Sequence, residues 1–136
     1  MSNADSHSWF ATCPKGLESL LAVELGSLGA DSTRETVAGV YFTGPRALAY
    51  RACLWSRLAN RILWPLAQID ATDGDIFYQG MKDIKWGAVF DSSKTIAIDF
   101  SGENRNIRNT QFGAQRSKDA IVDWFVATGA PRPSVD

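Results

Sequence analysis

Residues 101 to 118 combine the guanidinium, ammonium and amide side chains with which proteins hold the phosphates and base edges of nucleic acids. The segment has four basic residues against the single acid Glu103, a local balance of +3, whereas the whole chain has a net charge of −1. Arginine presents a planar fork of donors to phosphate oxygens, and amide side chains both donate and accept. We therefore predict an RNA-binding site made of Arg105, Asn106, Arg108, Asn109, Gln111, Arg116 and Lys118.

A solvated helix entrance remains an alternative interpretation of the same segment. Charge runs usually form solvated surface, and Lys118 could pair with Asp119 or Asp123 while the arginines cap carbonyl groups. Phe112 offers a stacking surface for a base if it is exposed, but a buried position is the more common one for such a residue. The residues alone leave both alternatives open.

Composition narrows the class of protein. The chain has 136 residues, of which 45% are hydrophobic and 21% charged, as is ordinary for one globular domain or two very small ones. No apolar run approaches the roughly 20 residues that a membrane-spanning helix needs, and the N-terminus lacks the features of a secretory signal. We therefore expect no membrane association.

Few residues are available for metal or redox chemistry. Cys13 and Cys53 lack the spacing of a zinc site or a disulfide framework, which fits the reducing cytoplasm. The single histidine, His7, falls in a predicted disordered tail of residues 1–7. Three acids in residues 70–75 do not match the spacing of a calcium loop, and a helix cap explains them better. We expect no metal site.

The pattern of residues 8–70 predicts strand, helix, strand, strand, helix, strand. The predicted strands are 8–12, 33–37, 40–43 and 62–69, and the predicted helices are 17–28 and 45–60. This order is that of the ferredoxin-like βαββαβ domain, in which helices cover one face of a four-stranded sheet. Pro65 is compatible with it, because the last strand would lie at an edge of the sheet. The fold class is therefore α+β.

Residues 71–136 have fewer elements. After the turn at 70–75 we predict a helix over 76–90, interrupted near 85–87, a strand over 95–100, and a helix that follows the basic segment and ends at Gly129. One strand and two helical segments do not make a sheet. We therefore expect residues 71–136 to be a domain cut short of its remaining strands.

From residue 8 onward the chain resembles the N-terminal part of the bacterial 23S ribosomal RNA guanine-N2 methyltransferases. The resemblance is carried by Gly16-Leu17-Glu18, by residues 54–59, by Phe100-Ser101-Gly102, by Ile107-Arg108-Asn109, by Gln111 and Gly113, and by residues 118–123. It implies a ferredoxin-like domain at 8–70, followed at 71–136 by a partial THUMP domain, an RNA-capture module of several RNA-modifying enzymes. The implied partners are 23S rRNA and the catalytic methyltransferase domains of the same polypeptide.

The resemblance also implies S-adenosylmethionine as the cofactor of the longer protein. No cofactor is expected in this chain, because it contains neither Gly-x-Gly nor the Asn-Pro-Pro-Tyr type of motif of such methylases. The chain should therefore not methylate RNA by itself.

Two other functions, domain docking and acyl phosphate hydrolysis, are alternatives to RNA binding. The ferredoxin-like half could dock on another domain of the same enzyme, without direct contact to RNA. Acylphosphatases share the βαββαβ order, but their phosphate loop contains an arginine, whereas the corresponding loop here, residues 12–16, is short and has none. We expect no hydrolysis of acyl phosphates.

Overall fold

The computed structural model describes residues 6–102 and 109–135, and these divide between Pro65 and Leu66 into two compact units. Each unit is described by itself. By this division the predicted connection at 70–75 lies in the second unit, and the domain ranges 8–70 and 71–136 stay predictions.

The first unit is a four-stranded antiparallel sheet with two helices. Its elements are β1 (Ser6–Thr12), α1 (Glu18–Ser27), β2 (Ser32–Thr36), β3 (Gly39–Pro45), α2 (Arg46–Trp55) and β4 (Arg61–Leu63). The strand order is β2-β3-β1-β4. The ferredoxin-like arrangement is therefore confirmed, with the last strand at an edge of the sheet.

Alternation along the two central strands builds the core of this unit. Trp9 and Ala11 of β1 and Val40 and Phe42 of β3 are buried on one face, because successive side chains of a strand point to opposite faces. They pack against the buried stripes of the two helices, which are formed by Leu21, Leu25, Leu48, Ala49 and Ala52. Both helices thus cover the same face of the sheet.

Strand β1 begins earlier than predicted. Ser6 and His7 belong to it, so the predicted disordered tail of residues 1–7 is wrong for these two residues. The ring centroid of His7 lies 5.6 Å from that of Trp9 and 5.2 Å from that of Trp64. Aromatic packing therefore extends the strand into a segment that looked polar in sequence.

Helix α2 ends at Trp55, five residues before the predicted end. Ser56 leaves the helix with an extended backbone, and the Glu24 carboxylate of α1 accepts hydrogen bonds from the Ser56 hydroxyl and the Arg57 N–H. Trp55, predicted to face the core, is consequently exposed. Strand β4 is also shorter than predicted, ending at Leu63 rather than at residue 69.

The second unit contains α3 (Gly74–Lys82), a short 3₁₀ helix (Trp86–Ala88) and α4 (Thr110–Ala127). The predicted cap is confirmed, because the Asp73 carboxylate accepts hydrogen bonds from the N–H groups of Asp75 and Ile76 at 2.9 and 2.8 Å. The predicted interruption near 85–87 is also confirmed, since α3 ends at Lys82 and the 3₁₀ helix begins at Trp86. Trp86, Ile121 and Phe125 form the core that joins these elements.

The predicted strand at 95–100 is wrong. In the described part of this unit the segment forms one isolated parallel bridge, between Ile96 and Val135, in which the Ile96 N–H donates to the Ser134 carbonyl at 2.9 Å. Ile96 and Ile98 still pack on the core. The alternation therefore identified the buried face correctly, but a single bridge does not provide the ladder that defines a strand.

Candidate nucleic-acid interface

Helix α4 contains most of the described part of the predicted RNA site. Residues 110–118 belong to this helix, which corrects the prediction that the helix follows the basic segment 101–118. Four predicted site residues are described, namely Asn109, Gln111, Arg116 and Lys118. The other three, Arg105, Asn106 and Arg108, lie outside the described residues.

Asn109 is the N-cap of α4. Its backbone is extended, and its side-chain oxygen accepts from the N–H groups of Gln111 and Phe112 at 2.8 and 3.4 Å. Such a cap satisfies backbone donors that a helix start would otherwise leave unpaired. The amide oxygen of Asn109 is therefore engaged within the chain.

Two substitutions at Asn109 separate its role as a cap from any role in binding. We expect Asn109→Ala to lower the free energy of unfolding of the second unit by about 1 kcal/mol, because the cap is lost. Asn109→Asp should leave the stability unchanged or slightly higher, because aspartate also caps and favours the positive end of the helix dipole. Urea unfolding measures both, and equal losses in the two variants would contradict the capping role.

Arg116 links α4 to α3. Its guanidinium lies 3.3 Å from the Asp75 carboxylate and 4.0 Å from that of Asp119, and its central carbon lies 4.4 Å from the centroid of the Tyr78 ring. Two carboxylates and an aromatic face therefore compete with any phosphate for this guanidinium. The prediction that Arg116 contacts RNA stays a prediction.

Tyr78 is fixed on its other side by Asp123, whose carboxylate accepts a hydrogen bond from the Tyr78 hydroxyl. That hydrogen bond is the main cause of a raised pKa of Tyr78, with burial and the charge of Asp123 adding to it and Arg116 opposing it. The two partners of Arg116 on α3, Asp75 and Tyr78, were not predicted from the sequence. The available signal was the spacing of Asp75, Tyr78 and Lys82, which places them on one side of a helix.

Gln111 and Lys118 lie on a different side of α4 from Arg116. At about 100° per residue, positions seven apart are only about 20° out of line, whereas Arg116 and Lys118 are separated by about 160° around the axis. Gln111 is exposed and Lys118 half-buried. The structure thus brings Gln111 and Lys118 together along one flank of the helix and places Arg116 on the other.

Phe112 is exposed over 46% of its surface. A Cβ atom at Gly74 would lie 3.1 Å from its ring, so the ring rests on the first turn of α3 while the remainder faces solvent. The aromatic surface that a base would need is therefore available, contrary to the more common buried position.

The surface of α3 and α4 does not have the net positive charge that was counted for residues 101–118. Lys82, Arg116 and Lys118 are its cations, and they are matched by four aspartates, Asp75, Asp83, Asp119 and Asp123. Of the four basic residues counted in the segment, Arg105 and Arg108 lie outside the described residues. The positive excess of the predicted site therefore depends on these two arginines.

The loop between β1 and α1, which corresponds to the phosphate loop of acylphosphatases, is bonded to a carboxylate at the start of α1. Glu18 accepts from the Gly16 N–H at 2.5 Å with Oε1 and at 3.2 Å with Oε2. This hydrogen bonding lowers the pKa of Glu18, so the group is ionised at neutral pH. A carboxylate in this position repels a phosphate group, which argues against the acylphosphatase alternative.

In residues 6–102 and 109–135, no three His, Cys, Asp or Glu side chains come together as a metal site would require, and no helix is long and apolar enough to cross a membrane. Of the three acids in residues 70–75, Asp73 caps α3, whereas Asp70 accepts from the Thr72 N–H at 3.1 Å before the helix begins.

Comparison with known proteins assigns both halves of the chain. The model of the RlmL ferredoxin-like domain matches residues 8–63, and that of the THUMP domain matches residues 71–136. The chain belongs to these two domain families. The ferredoxin-like match covers the four-stranded sheet, and the THUMP match covers α3, α4 and the whole basic segment.

Curated relatives share both domains. The chain is 56% identical over 128 residues to the ribosomal RNA large subunit methyltransferase K/L of Aeromonas hydrophila and 52% identical over 129 residues to that of Cellvibrio japonicus. These alignments cover 94% and 95% of the chain. The chain spans only about 18% and 17% of the length of these relatives.

Solved structures share the fold of the ferredoxin-like and THUMP domains. The crystal structure of SMU.472 in complex with SAH, described as a candidate methyltransferase, matches with a TM-score of 0.86 at 21% identity, over 98% of this chain and 36% of that one. A predicted N6-adenine-specific DNA methylase from Listeria monocytogenes matches with a TM-score of 0.83 at 24% identity, over 93% of this chain and 33% of that one. At such identities the likeness shows the fold alone.

Proposed function

We propose that this chain is the RNA-binding, substrate-targeting region of a SAM-dependent 23S rRNA (guanine-N2) methyltransferase. The observation that carries the proposal is the THUMP match over residues 71–136, since THUMP is an RNA-binding domain. The relatives named as ribosomal RNA large subunit methyltransferases support the choice of substrate. In this proposal the chain holds rRNA for catalytic domains of the same polypeptide.

The start of α4 is the surface that we assign to RNA in the THUMP domain. Gln111 and Lys118 share one flank of the helix, and Arg108 directly precedes the cap residue Asn109. The positive end of the helix dipole favours a phosphate at this end. We include Arg105, Asn106 and Arg116 in the proposed contact set.

S-adenosylmethionine belongs to the proposed catalytic domains and not to residues of this chain. The turn between β1 and α1 contains a single glycine, Gly16, and its N–H is already bonded to Glu18, so it does not fit the glycine-rich turn of a nucleotide-type cofactor site. When bound to its own domain, the cofactor supplies the methyl group. The proposed location of the whole protein is the cytoplasm, where 23S rRNA is modified.

Binding of a labelled rRNA hairpin across a salt series tests the proposal. We expect the triple variant R105A/R108A/K118A to bind more weakly and to lower the slope of log affinity against log salt by about 2, because each lost phosphate contact removes about 0.7. Lys94→Gln removes a positive charge from an exposed turn of the same unit and is the matched control; its slope should match that of the unsubstituted chain. A triple variant that binds with unchanged affinity and slope would contradict the assignment of these residues.

Docking on another domain remains the second candidate, and one observation favours it. Tyr50, Leu54 and Trp55 of α2 are exposed over 62%, 79% and 68% of their surfaces, and the i, i+4 spacing makes Tyr50 and Leu54 neighbours on one side of the helix. Exposed apolar side chains grouped in this way are typical of interaction sites. No binding of the hairpin at any salt concentration would favour this candidate over RNA binding.

A further inference from the structure

The face of the ferredoxin-like sheet opposite its helices has an unusual composition. Residues directly paired across an antiparallel ladder share a face, so the register places Phe10 of β1, Tyr41 of β3, Arg34 of β2 and Leu63 of β4 on this face. In the first unit both helices pack on the other face, against Trp9 and Phe42 among others. No helix of this unit therefore covers the open face.

Two aromatic rings occupy the centre of the open face. The ring centroids of Phe10 and Tyr41 lie 4.6 Å apart, and the Arg34 guanidinium lies 4.4 Å from the centroid of the Tyr41 ring. Together Arg34, Tyr41, Phe10 and Leu63 form a continuous row across all four strands, about 14 Å long at the usual strand spacing. We call this row the sheet platform.

Gly39 explains why the Phe10 ring lies along the sheet. A Cβ atom at Gly39 would meet two atoms of that ring at 2.3 and 2.7 Å. The missing side chain thus leaves the space into which the ring leans, over the backbone of β3. Phe10 is accordingly half-buried and keeps part of its surface exposed on the open face.

Among the described residues of β1 to β4, the charged side chains on the open face are all positive. Arg34 and Arg61 are its two charged residues, because Glu35, the one acid of β2, points to the helix side and accepts a hydrogen bond from Ser19 of α1. The remaining polar side chains of this face are hydroxyl groups, those of Ser6, Ser8, Thr12, Ser32, Thr36 and Thr43. With two cations, several hydroxyl groups and no acid among its described strand residues, the open face differs from the surface of α3 and α4, where the charges are balanced.

We propose that the sheet platform binds single-stranded RNA by stacking two or three bases on Phe10, Tyr41 and the Arg34 guanidinium. Four-stranded sheets of RNA-recognition domains bind in this way, with aromatic rings on two central strands, and β1 and β3 are the central strands here. Arg61 at the edge, with the neighbouring hydroxyls, contacts phosphate and ribose. This inference rests on the proposed RNA-binding function and adds a second contact surface, specific for unpaired nucleotides.

The chemistry of the platform favours RNA over a protein partner. Protein interfaces are also enriched in aromatic residues and arginine but depleted in serine, so what distinguishes this face is the set of hydroxyl groups and the second cation, Arg61, around the two rings. Aromatic faces flanked by cations and hydroxyls match bases joined by a charged ribose-phosphate backbone.

The test uses the whole chain and a fluorescent uridine oligonucleotide of about eight nucleotides. The double variant F10L/Y41L keeps apolar side chains on the sheet but removes the rings, and Tyr41→Phe keeps the ring. We expect F10L/Y41L to weaken binding at least fivefold for each ring removed, and Y41F to bind as the unsubstituted chain does. An oligonucleotide of the same length without bases should bind the unsubstituted chain no better than it binds F10L/Y41L.

Four results would overturn the inference, and they separate it from the proposed function. Equal affinity of F10L/Y41L and the unsubstituted chain, or equal binding of the oligonucleotides with and without bases, would remove the sheet platform as a binding surface. Failure to bind the uridine oligonucleotide, combined with salt-dependent binding of the hairpin through residues 101–118, would overturn the platform and leave the proposed function intact. No binding of either RNA would overturn both. The circular dichroism spectrum of F10L/Y41L confirms that the sheet is folded.

Discussion

Phe42→Ala should lower the free energy of unfolding of the first unit by about 3–5 kcal/mol, a large part of the stability of a small domain. Phe42 is fully buried between the sheet and the two helices, and it belongs to the same cluster as Trp9, Leu21 and Leu48. Removing its ring leaves a cavity that the packed helices cannot fill. Urea unfolding followed by residue-resolved NMR signals of β1 and β3 measures the loss.

The neighbouring residue provides the control. Tyr41 lies on the open face, half-buried, with contacts to Phe10 and Arg34, so Tyr41→Ala should cost only about 1 kcal/mol, the sum of a cross-strand pair and an exposed cation–π contact. Similar losses for the two variants would contradict the assignment of the two faces, and with it the position of the sheet platform.

Gly113→Ala should destabilise the second unit by about 1–2 kcal/mol, although alanine is the better helix former. Gly113 lies in α4, where the ring of Phe100 is so close that a Cβ atom would meet three of its atoms at 2.5 to 2.7 Å. The ring would have to move, and with it the edge-to-face contact with Phe77, whose centroid lies 5.6 Å away. Phe100 precedes the basic segment, so we expect weaker RNA binding as well.

Gly26→Ala is the matched helical control. No atom lies within 4 Å of a Cβ atom at Gly26 in α1, so this change should raise the stability of the first unit by about 0.5–1 kcal/mol through the helix propensity of alanine. The two glycine substitutions should therefore have opposite signs in thermal or urea unfolding. A stabilising effect of Gly113→Ala would show that Phe100 does not pack against α4 in solution.

The first half of the fold was predictable because its local signals agree with its tertiary packing. The pattern of residues 8–70 was sufficient for the βαββαβ order, although the turn between β2 and β3 falls on Val37-Ala38 and so includes the last residue of the predicted strand 33–37. The end of α2 was not predictable, because Glu24, more than thirty residues earlier, accepts the hydrogen bonds that stop the helix at Ser56. The strand at 95–100 failed for a similar reason, since a strand depends on partners that its own pattern does not reveal.

The candidate site was predictable in residue type but not in arrangement. The content of charged and amide side chains located the segment. Its second half, however, forms a helix, and Asn109, which was predicted to bind RNA, caps that helix. Arg116 is engaged by Asp75 and Tyr78 from another helix, which depends on tertiary contacts. The sheet platform escaped notice because Phe10 and Tyr41 are thirty-one residues apart and become neighbours only through strand register.

Ultraviolet crosslinking of the whole chain to a 23S rRNA fragment, followed by mass spectrometry of the crosslinked peptides, tests RNA binding by this chain most directly. The proposed function predicts crosslinks within residues 101–118, and the sheet platform predicts further crosslinks at Phe10 and Tyr41 where the fragment has unpaired nucleotides. Crosslinks confined to the exposed surface of α2 around Trp55, or none above those of an unrelated acidic protein of similar size, would contradict RNA binding through either surface.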